Sequence, residues 1–403
     1  MFRLSTVLIS TLSLLRLANG YDLLKTYAGD GFFNEWNFMD DWDHWTLGDI
    51  QYVPQSAAGN LTGVNPNSGG VIIRMDDFTT VAWDGKRNSI RLEGKQIFNS
   101  TNAVLVFDVL HVPIGCSVWG ALWSKSAVSQ WPEGGEVDIM EAVNKMPTNQ
   151  MALHTDTACT VPRDNPGQTG TPNGNFLDCQ IQRNADGTYS NTAGCAVLDS
   201  NPASYQDFAS NQGGVWVTEY SAQAIKIWFF SRPNVPDALK SANSLDTTTL
   251  GTPTALFAQS ATCDMAKALR PQHMVITLTA CGSWAGLNDT IQATCGPLTT
   301  KSCYEQYLHD PNNYHDAYFE IASVKIFGDQ TTLLENSTAL VEGGNTPTGA
   351  TPSQSGSTRS SNTRTTSATG TSTSTRNDAW ALKLAALTPW SLVLGALTVF
   401  FAL

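Results

Sequence analysis

Apolar runs with partly alternating side chains, closed off by Gly, Pro, Asn and Asp, punctuate the middle of the chain. VLVFDVLHV (Val104–Val112), AIKIWFF (Ala224–Phe230), HMVITL (His273–Leu278) and YFEIASVKIF (Tyr318–Phe327) are rich in β-branched and aromatic residues. Such residues fit a pleated, half-buried surface, and a period of two turns one face toward a core. No long amphipathic helical pattern and no internal repeat accompanies them. The expected fold is therefore all-β: a jelly-roll (concanavalin-like) sandwich of two antiparallel sheets packed face to face. Residues 21–340 form one such domain in this reading, long by the average but ordinary for a large sandwich. One loop-rich stretch, Thr155–Gly213, carries three cysteines. A loop of that length in a compact domain needs stapling or a function.

The two ends are unlike the middle. Arg3 precedes an uncharged apolar run, Leu4–Leu15, and Ala18-Asn19-Gly20 puts small residues at −3 and −1. This is the layout of a secretory signal peptide over residues 1–20. From Glu342 to Ala379 there is no Leu, Ile, Val, Met or aromatic residue. A segment of that composition, 341–379, reads as a disordered, O-glycosylated linker. Twenty uncharged residues follow Lys383. With the polar spacer before it, the stretch 380–403 reads as a glycolipid-anchor signal removed on attachment at Asn377, although Gly370-Thr371-Ser372 leaves a more typical spacer. The expectation is an extracellular protein at the cell surface, tethered to the plasma membrane or cell wall. Eight cysteines, all inside the folded part, suit disulfides in that compartment, and 105 pairings are open. Sequons at Asn60, Asn99, Asn288 and Asn336 become glycosylation candidates there.

The chain has 35 acidic against 23 basic residues and no Lys/Arg cluster. Nucleic acid is a poor partner for such a surface. Only 14% of residues are charged, and Gly, Ser, Thr and Asn abound, which suits a neutral polysaccharide. No Cys/His cluster has zinc spacing, and neither a metal nor a cofactor is expected. The protein is expected to be a monomer.

GGEVDIMEAVN (Gly134–Asn144) puts Glu136, Asp138 and Glu141 on one apolar strand. Successive strand side chains point to opposite faces, so Glu141 falls on the wrong side of the other two. A bulge near Ile139 or Met140 would return it. Three acids on one sheet face, with tryptophans just upstream (Trp119, Trp123, Trp131), would suit a two-carboxylate glycosidase whose substrate rings stack on indoles.

The run ALWSKSAVSQWPEGGEVDIMEAVN (Ala121–Asn144) resembles the signature of glycoside hydrolase family 16, in its laminarinase-like branch with an E-x-D-x-x-E motif. GCAVLDSNPASY (Gly194–Tyr205), GGVWVTEYSAQAIKIWFFSR (Gly213–Arg232) and CGSWAG (Cys281–Gly286) extend the likeness over residues 21–330. The resemblance implies a substrate cleft on the concave sheet and retaining endo-hydrolysis of β-1,3 or mixed β-1,3/1,4 glucans. It implies Glu136 as nucleophile, Glu141 as acid/base and Asp138 as the supporting carboxylate. His154, in MALHT, is a candidate to hydrogen-bond a catalytic carboxyl. Trp284, Trp123 and Trp131 are candidate substrate-binding residues. Trp36, Trp42 and Trp45 either line a distal subsite or pack the sandwich. A wall transglycosylase on the same fold is the alternative, although fungal transglycosylases of the family typically carry the shorter E-x-D-x-E form. A non-catalytic wall-glucan-binding protein is a further one.

Overall fold

The computed structural model describes residues 20–240 and 243–335. The expected leader, linker, apolar tail, Asn336 and Asn377 lie outside these. No helix among the described residues is long and apolar enough to cross a membrane.

Eleven strands carry the architecture: β1 (Tyr21–Tyr27), β2 (Arg91–Phe98), β3 (Asn102–His111), β4 (Val118–Ser126), β5 (Glu136–Val143), β6 (Gln150–His154), β7 (Cys195–Leu198), β8 (Gly214–Ser221), β9 (Ala224–Ser231), β10 (Gln272–Ala280) and β11 (Tyr318–Gly328). One antiparallel sheet runs β7-β6-β5-β4-β10-β2, and the other β1-β11-β3-β8-β9. The two antiparallel sheets of the expected sandwich are thus both present. Their outer strands are short: Thr171–Pro172 and Trp36–Phe38 flank the first sheet, Ser244–Leu245 and Ala255–Ala258 the second.

Alternation explains the packing. In β3, Leu105, Phe107 and Val109 enter the main core against Leu122, Val137 and Ile276 of the facing sheet. Val104 and Val106, on the other face, join a second cluster with Val215, Val217, Trp228 and Leu250. Both faces of β3 are covered, which is why VLVFDVLHV reads as a nearly continuous apolar run. The four expected strands all form: three are extended by one to three residues, and the first starts two residues earlier and stops one residue short of Val112.

All eight cysteines pair: Cys116–Cys295, Cys159–Cys263, Cys179–Cys195 and Cys281–Cys303. Two of these bridges staple the Thr155–Gly213 excursion, one to itself and one to Cys263. The other two hold the segment 281–303, which begins immediately after β10.

Candidate active site

The pairing around β5 resolves the misplaced acid. Against β4, Glu136 faces Lys125, Asp138 faces Trp123, and then Met140 faces Leu122 and Glu141 faces Ala121, so Ile139 is one residue too many. Against β6 the register shifts in the same interval. Lys125, Trp123 and Ala121 lie on one face of β4, so the bulge restores Glu141 to the face of Glu136 and Asp138. Two consecutive residues, Ile139 and Met140, enter the core as a result.

A bulge frees backbone groups that the ladder would otherwise pair. Here the fully buried Asn149 takes them up. Its side-chain oxygen accepts from the Glu141 N–H at 2.8 Å, and its amide nitrogen donates to the Ile139 carbonyl at 3.0 Å. Upstream, Gly134 and Gly135 both adopt positive φ, +76° and +75°. A Cβ on Gly135 would lie 2.4 Å from the Ala268 carbonyl, so this entry to the strand needs glycine on both counts.

His154 sits opposite Glu136 in the β5–β6 register. Its Nε2 lies 2.9 Å from Asp138 Oδ2 and 3.6 Å from Glu136 Oε1. Trp119 Nε1 donates to Glu141 Oε1 at 2.9 Å. Burial, then the charge of Asp138, pushes the Glu136 carboxyl up to about 7, against the pull of His154 and a hydrogen bond from Trp131. Burial, the charge of Asp138 and, less strongly, that of Glu136 hold Glu141 well above the ordinary carboxyl range, against a hydrogen bond from Trp119 and the pull of His154. Burial disfavours the His154 imidazolium, but Glu136, Asp138 and Glu141 together outweigh it and raise its pKa to about 9. The cluster therefore sets an imidazole whose charged form is favoured among three acids, and burial with the Asp138 charge favours the protonated form of both glutamates. Atoms of Glu136, Asp138 and His154 converge within 4.8 Å, close enough to share a cation.

Trp131 bonds to Glu136 and meets Tyr189 edge-on at 5.4 Å, placing the Thr155–Gly213 excursion beside that acid. Trp284 packs edge-on against Trp119 at 5.5 Å, on the side of Glu141. Trp123, between them on β4, is tied by Nε1 to Thr277 Oγ1 at 2.9 Å. All four expected polar groups and all three expected tryptophans thus line one face of this sheet or its margins. Trp36 is fully buried against Tyr27 and Phe32 and packs the sandwich, whereas Trp42 is exposed. Asn60 and Asn288 are exposed, and the Asn99 side-chain Oδ1 accepts from the Thr101 N–H and hydroxyl.

Sequence reasoning missed Asn149, Arg91, Glu93 and Lys125. The last three form a buried ion cluster beside Glu136, with Arg91 and Lys125 at 3.0 and 3.2 Å from Glu93 Oε1. Burial would raise the Glu93 carboxyl, but Arg91, Lys125 and His273 bring it down to about 2. Arg91 and Glu93 are neighbours on one face of β2, but Lys125 and Asn149 reach their partners only from other elements, so no short-range pattern marks the group.

The family described as an XgeA-like, catalytic GH16 domain matches residues 36–327. A probable endo-1,3(4)-β-glucanase of Aspergillus fumigatus is 36% identical over 321 residues, 77% of this chain. This chain spans only 46% of that relative's length. Two solved structures align at TM-score 0.67 over 76% of this chain and 99% of theirs. One, 34% identical, is GH16 Laminarinase 16A from Phanerochaete chrysosporium, with 6-O-glucosyl-laminaritriose in both donor and acceptor sites. The other, 31% identical, is an elongating GH family 16 β-1,3-glucosyltransferase. With matched residues that include the whole bulged strand and its acids, the chain belongs to glycoside hydrolase family 16, in its XgeA-like group.

Proposed function

We propose that the chain is a retaining endo-β-glucanase acting on β-1,3 and mixed β-1,3/1,4 glucans. The observation that carries this reading is the bulge at Ile139, which sets Glu136, Asp138 and Glu141 on one sheet face. Glu136, beside Asp138 and the His154 ring, attacks the anomeric carbon. Glu141, whose proton is held firmly, gives it to the departing glycosidic oxygen. Water then displaces the glycosyl group from Glu136 while Glu141 takes back a proton, so configuration is retained. Asp138 and the His154 imidazolium keep Glu136 oriented, and Trp123, Trp131 and Trp284 offer faces for glucose rings.

The elongating transferase of the same fold supports a second reading, in which a sugar hydroxyl replaces water. The two part in their products. Incubation with laminarin, lichenan and cellulose, read by reducing-end assay and mass spectrometry, should give new reducing ends and shorter chains from the first two. Lengthened oligosaccharides without net reducing ends would mean transfer, and no change in any polymer would sink both readings.

Asp138 charge raises the pKa of both glutamates. Asp138→Asn removes that charge, and its neutral amide can still hydrogen-bond. Both limbs of the pH profile of kcat/KM should therefore move to lower pH, the acid limb from its start near 7. A profile that keeps its limbs in place while losing height would mean that Asp138 acts through geometry alone.

We further infer secretion and glycolipid attachment, resting on the apolar runs at residues 4–15 and 384–403 and the polar spacer before the latter. The chain is proposed to act as a monomer at the cell surface. A chain truncated after Ala350 should appear free in the medium, and phospholipase should release the full-length protein from membranes. Retention after lipase, with the C-terminal peptide still present by mass spectrometry, would mean a different anchor.

A further inference from the structure

Among the described residues, five large apolar side chains stand exposed: Trp42, Leu47, Phe78, Trp83 and Leu287. Single exposed apolar residues need no explanation. Four of these five, however, sit on two adjoining loops. The short strands that follow each loop, Ile50–Tyr52 and Arg87–Ser89, run parallel as a pair. Lys86 links the loops directly, lying 4.9 Å over the Trp42 ring and donating to the Gly48 carbonyl at 3.3 Å.

Trp83, the most exposed of the five at 64%, is nevertheless held in place. One face of its ring stacks on His309 at 4.7 Å and 14°, and Tyr304 meets it edge-on at 6.1 Å. The Tyr304 hydroxyl donates to the Gly85 carbonyl, and His309 Nδ1 faces the Val81 carbonyl. Beneath, the fully buried Arg87 donates to the carbonyls of Asp76, Thr79 and Leu308, tying the loop to the turn that carries the cushion. A flat ring fixed from below and open above is a platform whose ordering cost has been met before any ligand arrives.

Rings and a cation lead from the acids toward these loops. Trp123 pairs with Asp138 on the sheet, Arg91 lies 5.2 Å over Trp123 and 4.3 Å over Trp45, and the His44 ring lies tilted between Trp45, 3.8 Å away, and Trp42, 5.7 Å away. From Trp42 the contact with Lys86 reaches the Trp83 loop.

We infer that Trp83 is a docking platform for the polysaccharide outside the catalytic cleft, stacking a glucose ring of a chain whose other part lies over the acids. The inference rests on the β-glucan reading above. Its ligand is a neutral β-linked glucan long enough to reach both places, and a short oligosaccharide seated at the acids gains nothing from it.

The test uses curdlan, an insoluble β-1,3-glucan, beside soluble laminarihexaose. Retention on curdlan is measured for Glu136→Gln and for the double variant Glu136→Gln, Trp83→Ala, so that nothing is consumed. Hydrolysis of both substrates is measured for the parent and for Trp83→Ala, with thermal midpoints to check folding. The double variant should be retained about tenfold less tightly. Trp83→Ala should lose curdlan hydrolysis while laminarihexaose hydrolysis changes by less than about twofold, and Trp83→Phe should recover part of the loss. Equal retention with and without Trp83 overturns the platform. Equal losses on both substrates also overturn it, because Trp83 would then belong to the cleft. A parent that acts on neither substrate would instead sink the glucanase reading.

Discussion

Glu136→Ala is expected to abolish laminarin hydrolysis, lowering kcat by at least about 10⁴-fold, and to leave the sandwich folded. The carboxyl lies on the sheet face opposite the core, so its loss opens no core cavity. It removes the atom that would form the glycosyl-enzyme, and no neighbour can replace it. Asp138 is bonded to His154, and burial and the Asp138 charge push the Glu141 carboxyl up toward its protonated form. Added azide should restore part of the rate and give the inverted glycosyl azide, because a small anion can enter the space of the lost carboxylate and attack once. Azide rescue with inversion in Glu141→Ala instead would exchange the two roles. Unchanged activity in Glu136→Ala would remove this acid from the chemistry.

Deleting Met140 should have the next largest effect, a loss of about a hundredfold or more in laminarin hydrolysis. The deletion returns β5 to regular alternation, with Asp138 and the shifted glutamate two positions apart on one face. It also dissolves the bulge that Asn149 holds from both sides. The acid would still face the substrate, but at a different height and without the fixed N–H that now orients it. Proton transfer to a departing oxygen requires hydrogen-bond reach, so a displacement of about an ångström suffices for the loss. Circular dichroism should remain that of a β-sandwich. Near-parental activity in the deletion variant would make the bulge incidental.

What the sequence made legible depended on whether a strand's two faces differ in kind. β3, β9, β10 and β11 announce themselves because their apolar residues alternate or run on. β2 did not, since Arg91, Glu93, Lys95 and Gln96 break its pattern. Two of these serve the ion cluster beside Glu136 and are explained only by Lys125 and His273 on other strands. The acids on β5 were legible for the opposite reason: an apolar strand with three carboxylates violates its own alternation, and the violation pointed to a bulge. Asn149, which makes the bulge tolerable, is an ordinary polar residue in a turn until its two bonds are seen. Disulfide pairing was equally hidden, with partners from 16 to 179 residues apart.

The short outer strands have a consequence for how this protein behaves among copies of itself. A sheet margin is a row of unpaired amides and carbonyls that invites another chain to add on. Here the flanking strands Thr171–Pro172, Trp36–Phe38, Ser244–Leu245 and Ala255–Ala258 are two to four residues long. One of them ends in a proline, which has no N–H to offer. A neighbouring molecule would find too few consecutive groups to extend either sheet. The colloidal character of the molecule is thereby decoupled from its large apolar interior. Addition of a neighbouring copy's strand is disfavoured at these four margins.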